Sequence, residues 1–239
     1  MYLIRKYPPK NLVLKKNYKI ALVGFYPITY PSNISENRPR GSKRIETFVL
    51  DYNSTIKNLL PFGKPIQEIP TNGIDQSVSS EAAEDFFFTY IDSVNRSGLF
   101  EISHIISYEQ EGDSLKFSLK KRDVDFYVVA VLGPESQGFW SAWPRLFISM
   151  YPAILTLGTI PGWTSQKVVS SFYLYDKHLN LLDSKTFDNR YEILSTWWAK
   201  DPPHLMIGLP QRNLSKRYYE PDVKEYSDHV IDFLNKHSE

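Results

Sequence analysis

Two short apolar runs limit the folds that are open to this chain. Residues 19–26 read KIALVGFY and residues 126–132 read FYVVAVL, with Lys19 as the one charged side chain in either run. Runs of this length that are rich in β-branched and aromatic residues are typical of strands buried on both faces. Such strands lie inside a sheet that other layers cover on each side, so an α/β fold is expected.

The clearest helix covers residues 80–97. Ser79 or Ser80 can cap its first turn, acidic residues follow, and Gly98 stands at the usual stop position. A second helix is predicted to begin near Pro221, a good residue for a first turn, and to reach residue 236. The apolar face of the first helix is predicted to comprise Ala83, Phe87, Tyr90, Ile91 and Val94.

Strand patterns occupy much of the remaining chain. Residues 168–175 and 181–187 flank five turn-forming residues and predict a β-hairpin, and further strands are predicted at 44–52 and 99–108. Residues 114–122 fit both a strand and a short helix, and the helix is favoured. The resulting fold class is α/β, a single-domain sandwich of helices packed on a mixed sheet over residues 19–239, preceded by an extended, poorly packed arm at residues 1–18.

Composition excludes several functions. The chain of 239 residues has 28 basic and 27 acidic side chains, and this balance argues against nucleic-acid binding. It has no cysteine, which excludes disulfides, zinc thiolates, iron–sulfur clusters and a cysteine nucleophile. Glycine-rich phosphate loops, HExxH and GxSxG are absent, and the five histidines never fall at a metal-ligand spacing. We therefore predict no catalytic residue, no metal site and no cofactor.

Residues 146–166 contain no charged side chain. Pro152 and Pro161 leave only eight residues between them, whereas a bilayer span needs about 20. The favoured interpretation is a short buried helix or loop that leads into the next strand, and contact with a membrane is the alternative. The polar and proline-containing residues 27–43 predict a long loop.

Tryptophans supply the candidate interaction surface. Trp140, Trp143 and Trp163 flank the uncharged stretch, where they could anchor it at a membrane or cap a core. The pair Trp197-Trp198 could insert into an interface or stack on sugars, although packing of one of them in the core is the simpler interpretation. The predicted interaction surface comprises Trp140, Trp143, Trp197 and Trp198.

Several patches of the sequence resemble the TolB amino-terminal-like domain family, which includes the curli-secretion lipoprotein type. The run KIALVGFYP resembles the family's first strand, and the segment 96–102 (RSGLFEI) resembles the end of its first helix. The segments 124–129 (VDFYVV) and 172–182 (FYLYDKHLNLL) resemble its next strand and its hairpin, and residues 221–236 its closing helix. The family has a short helix before that next strand, and this is the reason that a helix is favoured at 114–122. The hairpin glycine of the family is missing here, and Asn180 is expected to take the left-handed position.

The resemblance implies a non-enzymatic protein of the bacterial cell envelope that acts by binding a partner protein or by self-association. It also implies export to the periplasmic face and tethering to a membrane by a lipid on a cysteine upstream of this sequence. Residues 1–10 lack the features of a secretory signal, so a cytoplasmic location is the alternative.

Two other functions stay open at this stage. One is an oligomeric secretion or pore component, with residues 146–166 or 27–43 in contact with the membrane. The other is an enzyme or binding protein for envelope glycans that uses Trp197-Trp198 and an acidic residue such as Asp125. Asp125 and Asp123 precede the second apolar run, and a polar residue at the start of a strand is the simpler interpretation.

Overall fold

The two apolar runs form the centre of the fold in the computed structural model. Residues described by the structure are 2–3, 7–8, 10, 12–29, 49–52, 60, 62–111, 114–133, 148, 151–152, 154–156, 159–160, 162–195 and 214–237. The strands are β1 (Tyr2–Leu3), β2 (Ile20–Thr29), β3 (Val49–Leu50), β4 (Gly63–Pro65), β5 (Ile106–Glu111), β6 (Ser114–Leu119), β7 (Phe126–Leu132), β8 (Gly162–Asp176) and β9 (Leu181–Ser195). The α-helices with described bounds are α1 (Ser80–Val94), α2 (Leu99–Ser103) and α3 (Leu214–Lys236), and residues 148, 151–152 and 154–155 are also helical.

The strands form a mixed sheet, so the predicted α/β class is confirmed. Strand order is β1-β9-β8-β7-β2-β3, with β4 also beside β2, and β5 and β6 make a separate two-stranded sheet. Strand β2 runs parallel to β7 and to β4, whereas the remaining pairs are antiparallel. The first six residues of β2 are buried, as expected for a strand that is covered on both faces.

A hydrophobic core lies on each face of the large sheet, because successive side chains of a strand point to opposite faces. Ile20 and Leu22 belong to the core beneath α3, which contributes Tyr219, Tyr226 and Val230. The alternating residues Ala21 and Val23 belong to the other core, to which α1, α2, β5 and β6 contribute Ala83, Phe86, Tyr90, Ile102, Ile106 and Phe117. The predicted face of α1 is largely confirmed, although Phe86 replaces Phe87 as its most buried phenylalanine.

Two predicted elements are wrong. Residues 99–103 form helix α2, so the strand predicted from Leu99 begins only at Ile106. Residues 114–119 form strand β6 and not the favoured helix, and β6 pairs with β5 so that Tyr108 lies opposite Phe117. The alternation of apolar and polar residues in 114–119 also fits a strand, and pairing with β5 allows Phe117 and Leu119 to be buried on one face.

Other boundaries also differ from the predictions. The hairpin strands each have 15 residues and extend well beyond the predicted ranges. Helix α3 begins at Leu214, so Pro221 lies inside it. In the hairpin turn, Leu179 and not Asn180 has the left-handed backbone, with φ of 64°. Of the predicted strand 44–52, β3 is described, while residues 44–48 lie outside the described residues, as does most of the predicted loop 27–43.

The uncharged stretch is not buried where the structure describes it. The fully described side chains of Ile148, Tyr151, Ile154, Leu155 and Ile160 are exposed, which contradicts the favoured interpretation of a buried segment. None of the helices in the described part of the chain is long and apolar enough to cross a bilayer.

The N-terminal arm is better packed than predicted: β1 pairs with β9 in the large sheet, Leu14 and Tyr18 pack against a core, and residues 10–15 contact α3. The backbone N–H of Lys10 donates to Asp228 Oδ2 at 3.1 Å, and that of Lys15 donates to Asn235 Oδ1 at 2.8 Å. The amide of Asn235 donates in turn to the carbonyl of Val13 at 3.0 Å. These backbone contacts hold the arm against the helix although most of its side chains stay exposed.

Removing the hydroxyl group should lower the free energy of unfolding at one buried tyrosine of α3 but not at another. Tyr219 donates to the carbonyl of Gly133 at 2.5 Å, whereas the hydroxyl of Tyr226 has no hydrogen-bond partner among the described residues. Tyr219→Phe is expected to lower the free energy of unfolding by about 1–2 kcal/mol, and Tyr226→Phe to leave it unchanged or raise it. Urea unfolding of both variants measures this difference. Equal losses in the two variants would contradict the assigned contacts.

Candidate functional site

The four tryptophans of the predicted interaction surface lie outside the described residues. Trp140, Trp143, Trp197 and Trp198 therefore remain a prediction. Trp163 lies in β8, where it is paired with Leu194.

Asp125 connects two strands of the large sheet. Its side chain is exposed, and Oδ2 accepts a hydrogen bond from the backbone N–H of Lys19 at 2.9 Å. The neighbouring Asp123 forms an ion pair with the ammonium group of Lys19. These contacts join the beginnings of β2 and β7, in agreement with the simpler interpretation of Asp125 as a polar residue at the start of a strand.

A groove of 460 Å³ opens at the amino ends of β2 and β4. Ligands of parallel sheets usually bind at the carboxyl ends of the strands, which is the opposite edge. Two cations, two anions and several uncharged side chains line the groove, so its charge favours no ligand class. These lining residues are Asn17, Tyr18, Lys19, Ile20, Phe62, Lys64, Glu68, Ile69, Pro70, Asn72, Asp123 and Val124.

Ser77 and His178 form the one serine–histidine contact among the described residues, with Oγ and Nδ1 3.2 Å apart. A serine nucleophile must donate its hydroxyl hydrogen to the base. Here the hydroxyl donates to Asp75 Oδ1 at 2.6 Å, which helps to lower the pKa of Asp75. The histidine is left to donate to Ser77, so the contact fastens the β8–β9 turn to residues 75–77.

Within the described ranges, no group of three histidine or acidic side chains is placed to hold a metal ion.

Glu101 is a fully buried carboxylate at the edge of the large sheet. Strand β4 pairs with β2 only as far as Leu22, and the pairing of β3 with β2 involves Ile28 and Thr29, so no strand among the described residues lies beside the middle of β2 on this side. Glu101 covers this gap: Oε1 accepts the backbone N–H of Gly24 at 3.1 Å, and Oε2 accepts Gln67 Nε2 at 2.5 Å. The carboxylate thus replaces the acceptors that a strand would have supplied.

Tyrosines surround Glu101 and remain protonated at neutral pH. Burial first and the negative charge of Glu101 second raise the pKa of Tyr26 and of Tyr52 to about 12. The same causes raise the pKa of Tyr90 well above its ordinary value. A general base or nucleophile needs the opposite shift, toward neutral pH. The arrangement therefore suits a scaffold that holds β2, α1 and α2 together.

An exposed apolar surface lies where α1 meets the β5–β6 hairpin. We call it the aromatic surface and define it by Phe88, Tyr108 and Leu115, which are exposed, and Phe117, which is buried beneath them. The ring centroids of Phe88 and Tyr108 lie 5.8 and 6.4 Å from that of Phe117. Large apolar side chains that cluster on a surface mark sites of interaction more often than scattered ones do.

Acidic residues frame the aromatic surface along α1. Glu84 and Asp92 lie four residues before and after Phe88, in the same row of the helix, and Asp85 lies on the adjoining row. All three side chains are exposed. An apolar centre with an acidic border is complementary to an apolar patch with basic residues around it.

Sequence reasoning missed the aromatic surface, although a signal was present. Residues 86–88 are three consecutive phenylalanines, and a helix can turn only part of such a run toward the core. Phe88 stood outside the predicted apolar face. Tyr108 and Leu115 carry no local signal, because only the pairing of β5 with β6 brings them to the same surface.

Together, the fold and this surface define an α/β protein with an exposed aromatic patch at the junction of a helix and a small hairpin. No family model matches the chain, and no curated protein matches its sequence.

Proposed function

We propose that this protein is a binding module that recognises another protein through the aromatic surface. The observation that carries the proposal is the packing of exposed Phe88 and Tyr108 against the buried ring of Phe117, with exposed Leu115 two residues before Phe117 in the same strand. Aromatic side chains are enriched at protein interfaces, where they bury much area at small entropic cost.

The acidic border indicates what kind of partner fits. An apolar patch with lysine or arginine at its rim would gain favourable electrostatic contacts with Glu84, Asp85 and Asp92. A second copy of this chain would instead bring the same three carboxylates to the interface, where they would repel one another. The proposal therefore commits to a different protein as the partner.

The proposed setting is the bacterial cell envelope, with the TolB amino-terminal-like fold as the finer description of the architecture. The resemblance of the sequence patches to that family supports both statements. The order of a buried strand, a helix, a second buried strand, a hairpin and a closing helix agrees with the family's pattern. The strand at 114–119 departs from it, since the family has a short helix there. Tethering by a lipid on an upstream cysteine is part of the same proposal.

Site-specific photo-crosslinking in the native host tests the proposed surface. A photoreactive phenylalanine analogue is placed at Leu115 in the full chain, and the matched control places it at Leu181; both side chains are 54% exposed. We expect a discrete adduct with one other protein at position 115 and none at position 181. Phe88→Asp in the same chain should reduce the adduct at 115 roughly tenfold, the loss expected on removing an aromatic anchor.

Three results would overturn the proposal. They are the absence of an adduct at 115, an adduct of equal yield at 181, and an adduct of twice the mass of the chain. Circular dichroism of the purified Phe88→Asp protein provides the folding control, because Phe88 is exposed and its loss should leave the fold intact.

A further inference from the structure

A second exposed apolar surface lies within the uncharged stretch, away from the aromatic surface in sequence. Ile148, Tyr151, Ile154 and Leu155 are helical residues, and Ile160 follows in a bend. We call these five residues the apolar stripe. Ile148, Tyr151 and Leu155 are spaced i, i+3 and i+7, which is the spacing of residues on one helix face.

The apolar stripe faces outward. Ile148 is 76% exposed, Tyr151 is 68% exposed and Leu155 is 81% exposed, whereas Pro152 and Thr156 are half-buried. A helix on the surface of a soluble domain normally has the reverse arrangement, with its apolar face toward the core. Large apolar side chains have a lower free energy when they are removed from water. Contact with a surface that covers the stripe would therefore be favourable.

Charge and sequence together favour a lipid surface as the occupant. No charged side chain occurs from residue 146 to residue 166, so no charge within the stretch opposes its contact with a lipid surface. Tyr151 lies within it, and Trp143 and Trp163 stand near its two ends in the sequence, as aromatic residues do at membrane interfaces. The prolines at 152 and 161 leave too few residues for a span, and this pattern suits a segment that lies in the interface.

Two basic residues lie in the β8–β9 hairpin, one of them directly after the uncharged stretch in the sequence. Lys167 lies directly opposite Arg190 in the β8–β9 pairing, and both side chains are exposed. Lys167 also pairs with Asp188 at 2.8 Å, but an exposed pair of this kind contributes little and can exchange for a headgroup phosphate. The charge is complementary to an anionic membrane surface, whereas two copies of the chain meeting here would bring like charges together.

We propose that the apolar stripe rests on a lipid bilayer that carries anionic headgroups, with Lys167 and Arg190 facing those headgroups. This contact uses none of the residues that define the aromatic surface. It would also hold the protein on a membrane independently of any lipid attached to the chain.

Vesicle co-sedimentation of the full chain without any attached lipid tests the proposal. The probes are vesicles of phosphatidylcholine alone and vesicles of phosphatidylcholine with phosphatidylglycerol. We expect the protein to sediment with the mixed vesicles and more weakly with the neutral ones. The double variant Tyr151→Glu with Leu155→Glu should lose roughly a hundredfold in partitioning, because each buried apolar side chain contributes about a factor of ten.

Matched variants separate the two parts of the contact. Leu181→Glu places the same charge on an exposed leucine of β9 and should leave partitioning unchanged within about twofold. Arg190→Glu should weaken binding to the mixed vesicles only, and added salt should have the same effect.

Several outcomes would overturn the proposal. One is that the unmodified chain stays in the supernatant with both kinds of vesicle, and another is that the double variant binds as strongly as Leu181→Glu. A third is that light scattering shows self-association, abolished by the double variant, in a chain that binds no vesicle; a second copy would then be the occupant. Circular dichroism of each variant controls for loss of fold.

Discussion

Gly24→Ala is expected to lower the free energy of unfolding by about 2–6 kcal/mol, the sum of backbone strain and steric overlap. Gly24 has a φ of +75°, a conformation that disfavours any side chain. An added Cβ would also lie 2.2 Å from the carbonyl oxygen of Ala130, in the neighbouring central strand. Neither strand can move away easily, because both are buried between the two cores. Such a loss is a large part of the stability of a typical domain.

Gly73→Ala is the matched control for this experiment. Gly73 has a φ of +82°, but an added Cβ would meet no atom within 4 Å. It should therefore show only the backbone strain, about 1 kcal/mol. Urea unfolding followed by circular dichroism measures both variants under the same conditions. If Gly24→Ala lowers the free energy of unfolding no more than Gly73→Ala does, then β2 and β7 do not approach each other as closely at Gly24 as the structure shows.

Glu101→Leu is expected to lower the free energy of unfolding by about 2–5 kcal/mol, because it leaves buried donors without an acceptor. The donors are the backbone N–H of Gly24 and the amide of Gln67. Glu101→Gln should cost less, since the amide oxygen can still accept from Gly24, while its NH₂ group would face that of Gln67. The order of stability should thus be wild type, then Glu101→Gln, then Glu101→Leu.

Glu109→Leu supplies the control for loss of a carboxylate. Glu109 is exposed in β5, and its replacement should change stability by no more than about 0.5 kcal/mol. Chemical unfolding of the four proteins at neutral pH gives the comparison. A Glu101→Leu protein as stable as Glu109→Leu would show that Glu101 does not complete the edge of β2.

The long apolar elements were predictable, and the short amphipathic ones were not. The runs at 19–26 and 126–132, helix α1 and the β8–β9 hairpin all have patterns that only one type of element satisfies. Residues 99–103 and 114–119 are short enough to fit a helix or a strand. Their state depends on pairing between β5 and β6 and on burial of Phe117, which are contacts made outside the segment itself.

Most of the candidate surfaces depended on information that no local pattern holds. The absence of charge at 146–166 was visible, but whether its apolar residues face inward or outward depends on what the rest of the chain leaves uncovered. In the sequence, nothing distinguishes Glu101 from the other acidic residues. Its role as a hydrogen-bond acceptor for β2 follows from the gap between β3 and β4, which only the assembled sheet contains. The aromatic surface joins residues from α1, β5 and β6 that lie up to 27 positions apart, as Phe88 and Leu115 do.

The sequence by itself determined the α/β class, the two central strands, the long hairpin and the lack of cysteine chemistry. Those properties follow from composition and from periodicities within single segments, which do not depend on distant neighbours. Only the tertiary structure decided that Glu101 covers a gap in the sheet, that Phe88, Tyr108 and Leu115 form one surface, and that the apolar stripe faces outward. The physical reason is that burial and exposure are properties of the packed chain, because the same side chain is inside or outside according to what lies against it.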